Sequence, residues 1–552
     1  MAPLIRKNVV CIDRRRVVNA MAFGLILLAF IVDGHDGKRV AQLGVLALPV
    51  CAWLLMDLRH PAWVAVRMIT SMVIGASFVA DGVIRDYLFD AYQAAPESAM
   101  VLTAVANSSP NESAEFFTMY WTEIVTRTSA AVLGVAALAW VCNRGAWTRA
   151  IRTGTTARSD SPSLSLHRYL SLAMLAALFV LCVVAFASKP WRSHYPLFFW
   201  ANWAVSANSL RGAWEANEAD RSALLASASK TVKPLPQGHR ATVVLAIGES
   251  INRSNLGIYG YARDTTPELA KIRALHKSFK VVGDAWSSEA TTVPSLQSML
   301  NVRGPDGSHQ HIIALARAAG YKVWWIANQD DVAITNEHGL LADTFVQTNR
   351  VPGRSSQELD EAVIAPFQEA LQDDAARKFI IVHLIGAHPR YQLRYEGASP
   401  FVAKDAVDAA MHNAGRTPWI VSQRRDYDAA VRYHDGVLST LFGKTAASGH
   451  AGDSKTWLYL SDHGQDVGHQ ANHAGHSPST TAGYQIPFMV WRQGAAGSPW
   501  PDDLERRSFR ADWLSMTLSN ALKLTWTGYV ANQDILSDSY EWKDVDVIRS
   551  LN

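Results

Sequence analysis

Cysteine is scarce in this 552-residue chain and stops early: Cys11, Cys51, Cys142 and Cys182 are followed by none. That excludes a disulfide scaffold for the later part. It is compatible with export, because an oxidising compartment permits disulfides without requiring them. An excess of charge is missing too. The net charge of +3 gives no footprint for nucleic acid, and no internal repeat supports a solenoid or propeller.

Charge is also nearly absent from five runs in the first third: Val17–Val32, Val40–Met56, Ala62–Ala80 (interrupted by Arg67), Ala130–Val141 with its flanks, and Tyr169–Ala187. A helix needs roughly 20 mostly apolar residues to span a bilayer, so these predict five spans. The first is not a cleaved signal peptide, since no small-residue cleavage pattern follows it and further spans do. Arg6, Lys7 and Arg14–Arg16 precede the first span, and Arg144, Arg149, Arg152, Arg158 and Arg168 lie between the fourth and fifth. Both stretches should be cytoplasmic. Everything beyond about residue 188, and the polar connection Asp81–Thr126, then falls outside. The expected domains are 1–188, a five-helix transmembrane bundle; 189–238, an aromatic interfacial segment (WRSHYPLFFWANWAV) and linker; and 239–552, a soluble outer domain.

The outer domain has a repeated grammar. ATVVLAIGES, YKVWWIANQ, KFIIVHLIGAH and KTWLYLSDHG are apolar, β-rich runs separated by helical stretches such as Glu358–Leu371 and Tyr427–Leu441. They read as buried parallel strands of an α/β sheet. Ligands of such sheets bind beyond the carboxyl ends of the strands. Glu249, Asn328, His388, Asp462 and His463 should therefore converge on one edge.

Two carboxylates and an imidazole at strand ends suit Zn²⁺ or Mn²⁺ better than Ca²⁺, which prefers oxygen ligands throughout. In SSEATTVPSLQSML, Thr291 and Thr292 precede Pro294 and a helical apolar spacing. A threonine there can simply cap a helix. It can equally be a nucleophile, because a hydroxyl at a helix N-terminus beside a divalent metal is activated and its anion stabilised. The histidine-rich stretch LYLSDHGQDVGHQANHAGHSPST adds His469, His473 and His476. Composition alone does not assign them, and for His469 and His473 a solvated loop is the expectation.

The set VVLAIGESINRSNLGIYGYARDTTPEL, TTVPSLQSML, HLIGAHPRY, YDAAVRYHDGVL and LYLSDHGQDVG…GHSP resembles the bacterial membrane phosphoethanolamine transferases of the alkaline phosphatase and sulfatase superfamily. The resemblance implies an α/β sulfatase-like outer domain with a mostly parallel sheet, carried by the five-helix bundle in the inner membrane as a multi-pass protein with its catalytic domain in the periplasm. It implies transfer of phosphoethanolamine from phosphatidylethanolamine to lipopolysaccharide core, lipid A or a periplasmic glucan, by a membrane-associated monomer that binds no nucleic acid.

Matched residue by residue, the resemblance makes Glu249, Thr292, Asp462 and His463 the ligands of Zn²⁺, with Thr292 also the phosphorylated nucleophile. A second divalent metal is left open. His388 and His476 would contact the transferred group, Asn328 would line the pocket, and Ser108 and Glu112 would bind the donor headgroup, where Ala104 stands in place of the family's Asn. The paired cysteines of lipid A-modifying members are missing, which points towards core sugars or glucans. A phosphoglycerol transferase, or a sulfatase-like phosphodiesterase, is the alternative on the same fold. Thr292-Val-Pro-Ser-Leu296 lacks both the oxidisable residue and the Arg of a sulfatase element.

Overall fold

The computed structural model describes residues 14–151 and 180–551, less positions 57, 59, 93, 109, 181–182, 216–217, 237–239, 304–306, 308, 330, 350–358, 451 and 495–499. Two compact units are present. One is helical (residues 1–90, 94–98 and 120–206) and the other is α/β (91–93, 99–119 and 207–552).

In the helical unit, α1 (Arg14–Gly34), α2 (Gly37–Leu55), α3 (Pro61–Tyr92) and the later part of α5 (Pro110–Ile151) carry the apolar runs. Among the described residues four stretches are long and apolar enough to cross a membrane: Arg15–Gly34, Gly37–Leu55, Pro61–Asp90 and Ile124–Asn143. They coincide with the first four runs expected from sequence. Most of the fifth, Tyr169–Ala187, lies outside the described residues, although 183–187 are helical. Arg67 interrupts its run at little cost because it is buried and paired, donating to Asn143 Oδ1 at 2.7 Å and Met56 O at 2.6 Å. An ionisable group inside a span is tolerated when the protein itself satisfies it. Helices α1 and α3 cross where Gly34 meets Gly82; a Cβ on Gly34 would sit 2.7 Å from Gly82 Cα.

The α/β unit is built on eight strands: β1 (Ala241–Gly248), β2 (Lys280–Trp286), β3 (Lys322–Ala327), β4 (Thr344–Gln347), β5 (Arg377–His383), β6 (Ser454–Ser461), β7 (Gln485–Gln493) and β8 (Ser508–Arg510). Their spatial order is β8-β2-β7-β6-β1-β5-β3-β4. Only β7 runs antiparallel to its neighbours β2 and β6. The central strands are apolar on both faces because helices cover both. Val243, Leu245 and Ile247 enter one core, and Val244 and Ala246 enter the other.

Register then places the chemistry. β1 lies between β5 and β6, with Ile247 level with His383 and Gly248 level with Ser461. The residues that follow, Glu249, Leu384 and Asp462, leave the sheet side by side. Two helices cover the two faces: α8 (Thr292–Leu300), which buries Val293, Leu296, Met299 and Leu300 in one core, and α9 (Pro418–Ala447), which packs into the other. The connection Ala99–Met119, comprising α4 (Ala99–Asn107) and the start of α5, belongs to this α/β unit. Asn107 anchors it, accepting from Ala333 N at 3.0 Å and donating to Asp331.

Candidate active site

Thr291 occupies the N-cap of α8 with extended backbone and no side-chain cap bond, so Thr292 is the first helical residue and its hydroxyl is free for other work. That hydroxyl lies 3.0 and 3.2 Å from the two carboxylate oxygens of Glu249 and 3.4 Å from His463 Nε2. His463 Nε2 is in turn 3.2 Å from Glu249 Oε1 and 3.4 Å from Asp462 Oδ2. Glu249, Asp462 and His463 are fully buried. Five strand-end and helix-start atoms thus face one point.

The surroundings hold these groups in place. Asp462 Oδ1 accepts from Ser250 N at 3.1 Å and His463 N at 2.6 Å, while the Ser250 hydroxyl donates to Glu249 Oε1 at 2.8 Å. Ser250 sits at φ 63, a left-handed conformation that costs an L-residue about 1–2 kcal/mol. Gly386, at φ 52, lets the loop after β5 press on β1; a Cβ there would lie 2.5 Å from Glu249 O.

Electrostatically the cluster is unbalanced. Burial raises Asp462 and the nearby Glu249 charge raises it further, so its carboxyl titrates well above the usual range. Burial opposes ionisation of Glu249 as well, but His463 outweighs it and holds Glu249 well below that range. Burial works to lower His463, yet Asp462 and Glu249 lift it to about 9. Two buried carboxylates share one imidazole.

The donor set fits a divalent cation. Asp462 Oδ2 is buried without a hydrogen-bond partner among the described residues. His463 Nδ1 lies 2.7 Å from Gly464 O, so in the neutral ring Nδ1 donates and Nε2 presents its lone pair to the cluster. His476 joins from the loop: ligand atoms of Glu249, His463 and His476 lie within 4.8 Å of one another. Its ring centre is 4.8 Å from that of His463 and 6.2 Å from that of His388. Burial and the neighbouring His463 push the His476 imidazole well below its ordinary value.

Other expected residues lie elsewhere. Asn328 is buried with its side chain engaged away from the hydroxyl cluster, donating to Asp360 at 3.0 Å and accepting from Thr348 at 2.8 Å. Its neighbour Gln329 is the one that reaches Glu249 Oε2, at 3.4 Å. Only its place two residues beyond the end of β3 could have marked it. Ser108 turns its hydroxyl back onto Ala104 O at 2.9 Å, and the side chain of Glu112 lies outside the described residues.

The two unassigned histidines find partners. His469 is not a solvated loop residue: Nδ1 accepts from Val467 N at 3.1 Å, so Nε2 donates to Asn255 Oδ1 at 2.7 Å. His473 is bonded to His476 O at 3.1 Å and meets the Tyr92 ring edge-on.

Comparison with known proteins agrees with this geometry. Residues 241–511 match the Sulfatase family model. Phosphoethanolamine transferase EptC of Escherichia coli is 30% identical over 318 residues, and CptA of Salmonella typhimurium is 29% identical over 318; each match covers 54% of this chain and 54% of the relative. The chain therefore spans about half the length of the curated relatives it matches. The crystal structure of the periplasmic domain of Escherichia coli EptC in complex with Zn aligns with TM-score 0.51 and 28% identity, covering 57% of this chain and 91% of that one. The integral membrane lipooligosaccharide phosphoethanolamine transferase A of Neisseria meningitidis shares the fold over 95% of this chain and 97% of its own, with TM-score 0.54 and 18% identity. The α/β unit of this chain is thus similar to sulfatase-family domains and to bacterial phosphoethanolamine transferases.

Proposed function

We propose that the protein is a zinc-dependent phosphoethanolamine transferase of the inner membrane, with its α/β unit in the periplasm, moving phosphoethanolamine from phosphatidylethanolamine to a lipopolysaccharide or periplasmic glucan acceptor. The observation that carries this reading is the Thr292 hydroxyl at the start of α8, 3.0 Å from Glu249 and 3.4 Å from His463 Nε2. Glu249, Asp462, His463 and Thr292 would hold the metal. When bound, zinc lowers the pKa of the hydroxyl and neutralises charge on the phosphoryl oxygens.

In the first displacement the Thr292 oxygen forms a bond to phosphorus and the bond to the diacylglycerol oxygen breaks, with the hydroxyl proton passing to a base of the site and a proton restored to the leaving diacylglycerol. In the second, an acceptor hydroxyl bonds to phosphorus, loses its proton, and releases Thr292. The N-terminus of α8 favours negative charge beside the reacting atom in both steps. His388 and His476 lie with ring centres 6.2 Å apart on the open side of the cluster, where their imidazoles would donate and accept the protons at the leaving and attacking oxygens.

The test is mass spectrometry of lipopolysaccharide and glucans from cells with and without the chain, alongside Thr292→Ala. A phosphoethanolamine increment that depends on Thr292 is expected. No increment, or one that survives the substitution, defeats the reading. The adduct mass on the Thr292 peptide separates phosphoethanolamine from phosphoglycerol.

A further inference from the structure

The loop that follows β5 carries His388 to the open side of the cluster, and one arginine reaches its backbone there. Its carbonyl accepts from Arg394 Nε at 3.2 Å, and the next carbonyl, Pro389 O, accepts from Arg394 Nη2 at 3.1 Å. The same Nη2 donates to Glu115 Oε2 at 2.5 Å. The pair is almost sealed from solvent, with side chains 1% and 8% exposed. Glu115 stands on the first turns of α5, 279 residues earlier in the chain, in the segment Ala99–Met119 that belongs to the α/β unit.

A guanidinium is a planar fork whose donors point in fixed directions. Arg394 spends two edges of that fork at once, one on the backbone flanking His388 and one on the carboxylate from α5. The opposite flank of the loop is fixed independently. Ile385 N and Gly386 N donate to Asp360 at 2.8 and 2.9 Å, and Ala387 N donates to Glu249 O at 3.0 Å. Beyond the loop, the Tyr391 hydroxyl donates to Gln465 at 2.7 Å. Between these anchors, the carbonyls of His388 and Pro389 both accept from Arg394.

We propose that Arg394 is the positioning residue for His388 and that Glu115 holds Arg394 in place, so that the head of α5 is part of the catalytic architecture. The consequence for the transfer reaction rests on the proposed function; the mechanical consequence does not. Glu112, expected at the donor headgroup, lies one turn before Glu115 on the same helix. The helix expected to meet the lipid donor is thus tied to the loop that presents an imidazole to the transferred group.

The test uses the full chain in detergent with zinc present, as wild type, Glu115→Gln and Arg394→Lys. These are conservative because deleting one member of a buried pair strands the other charge and threatens folding. The first measurement is hydrogen–deuterium exchange. Peptides covering 384–395 should exchange about tenfold faster in both variants, while those of β1 and β6 keep wild-type protection. The second is turnover of phosphatidylethanolamine to diacylglycerol, where kcat should fall about 10- to 100-fold with KM within about threefold.

Unchanged exchange in 384–395, or loss of protection spread across β1 and β6, overturns the proposal. So does a kcat that stays at the wild-type value while the loop loosens. If wild type releases no diacylglycerol, the functional reading fails and the exchange experiment still decides whether Arg394 and Glu115 hold the loop.

Discussion

The two sides of the candidate site are built differently. Glu249, Asp462 and His463 sit on strand ends, fully buried: Asp462 accepts from His463 N and Ser250 N, His463 Nδ1 is bonded to Gly464 O, and Glu249 accepts from the Ser250 hydroxyl. His388 and His476 sit on loops, are partly exposed, and touch the cluster through ring contacts. The closed side fixes positions before any ligand arrives, as electrostatic stabilisation requires. Under the proposed function, the open side has to admit a lipid headgroup and then a glycan. Rigidity and access are divided between sheet and loops.

The largest expected effect lies where the two sides meet. Thr292→Ala should reduce transfer by about 10⁴-fold or more, because groups that act as a unit lose nearly all activity together. The melting temperature should stay close to wild type. Loss of folding instead would make Thr292 a structural cap and blur the division.

Asp462→Asn tests the closed side. It should lower zinc affinity by more than about 10²-fold, measured by competition with a chelating dye, and abolish detectable transfer. Without metal the same variant should melt higher than wild type, since it removes one of two buried carboxylates that repel each other. About 2–4 °C is expected for each kcal/mol of relieved repulsion. A lower metal-free melting temperature would show that Asp462 stabilises the fold by itself.

How far the sequence reveals this site follows the same division. Strand-end residues are legible because period and composition locate a buried strand, and topology places its end on the ligand edge: Glu249, Asp462 and His463 were found that way. Loop residues are not, since their partners are set by long-range contacts. Asn328 ends a strand as expected but bonds to Asp360 and Thr348, and Gln329 makes the contact with Glu249. His469 has no sequence signal for its bond to Asn255, which is 214 positions away. Four adjacent strands of the eight-strand sheet, β6, β1, β5 and β3, were legible, whereas β2 and the antiparallel β7 were not read as strands. The short edge strands Thr344–Gln347 and Ser508–Arg510 were not, being too brief to show a period. The membership of Ala99–Met119 in the α/β unit is invisible to hydropathy, which registers only a polar connection.

On the open side the effects should be smaller. His388→Ala should lower kcat by about 10²-fold, within the range of a single acid–base group, while zinc affinity stays unchanged. A loss of zinc on this substitution would move His388 to the closed side.

The smallest effect concerns the hinge between the sides. Asp360 is buried and accepts from Asn328, Ile385 N and Gly386 N, with His434 Nδ1 at 3.8 Å. Burial resists its ionisation, but His434 and these donors prevail and hold its pKa below the ordinary value. A carboxyl depressed on folding contributes stability above its unfolded pKa, and that contribution disappears as pH falls through the folded value. Asp360→Asn should therefore cost about 1–3 kcal/mol near neutral pH, with the gap from wild type narrowing as pH falls below about 4. Melting curves of the two proteins between pH 3 and 7 measure it. A gap that does not depend on pH would mean that Asp360 acts through shape and hydrogen bonds alone, and that the loop bearing His388 is not held to the sheet by charge.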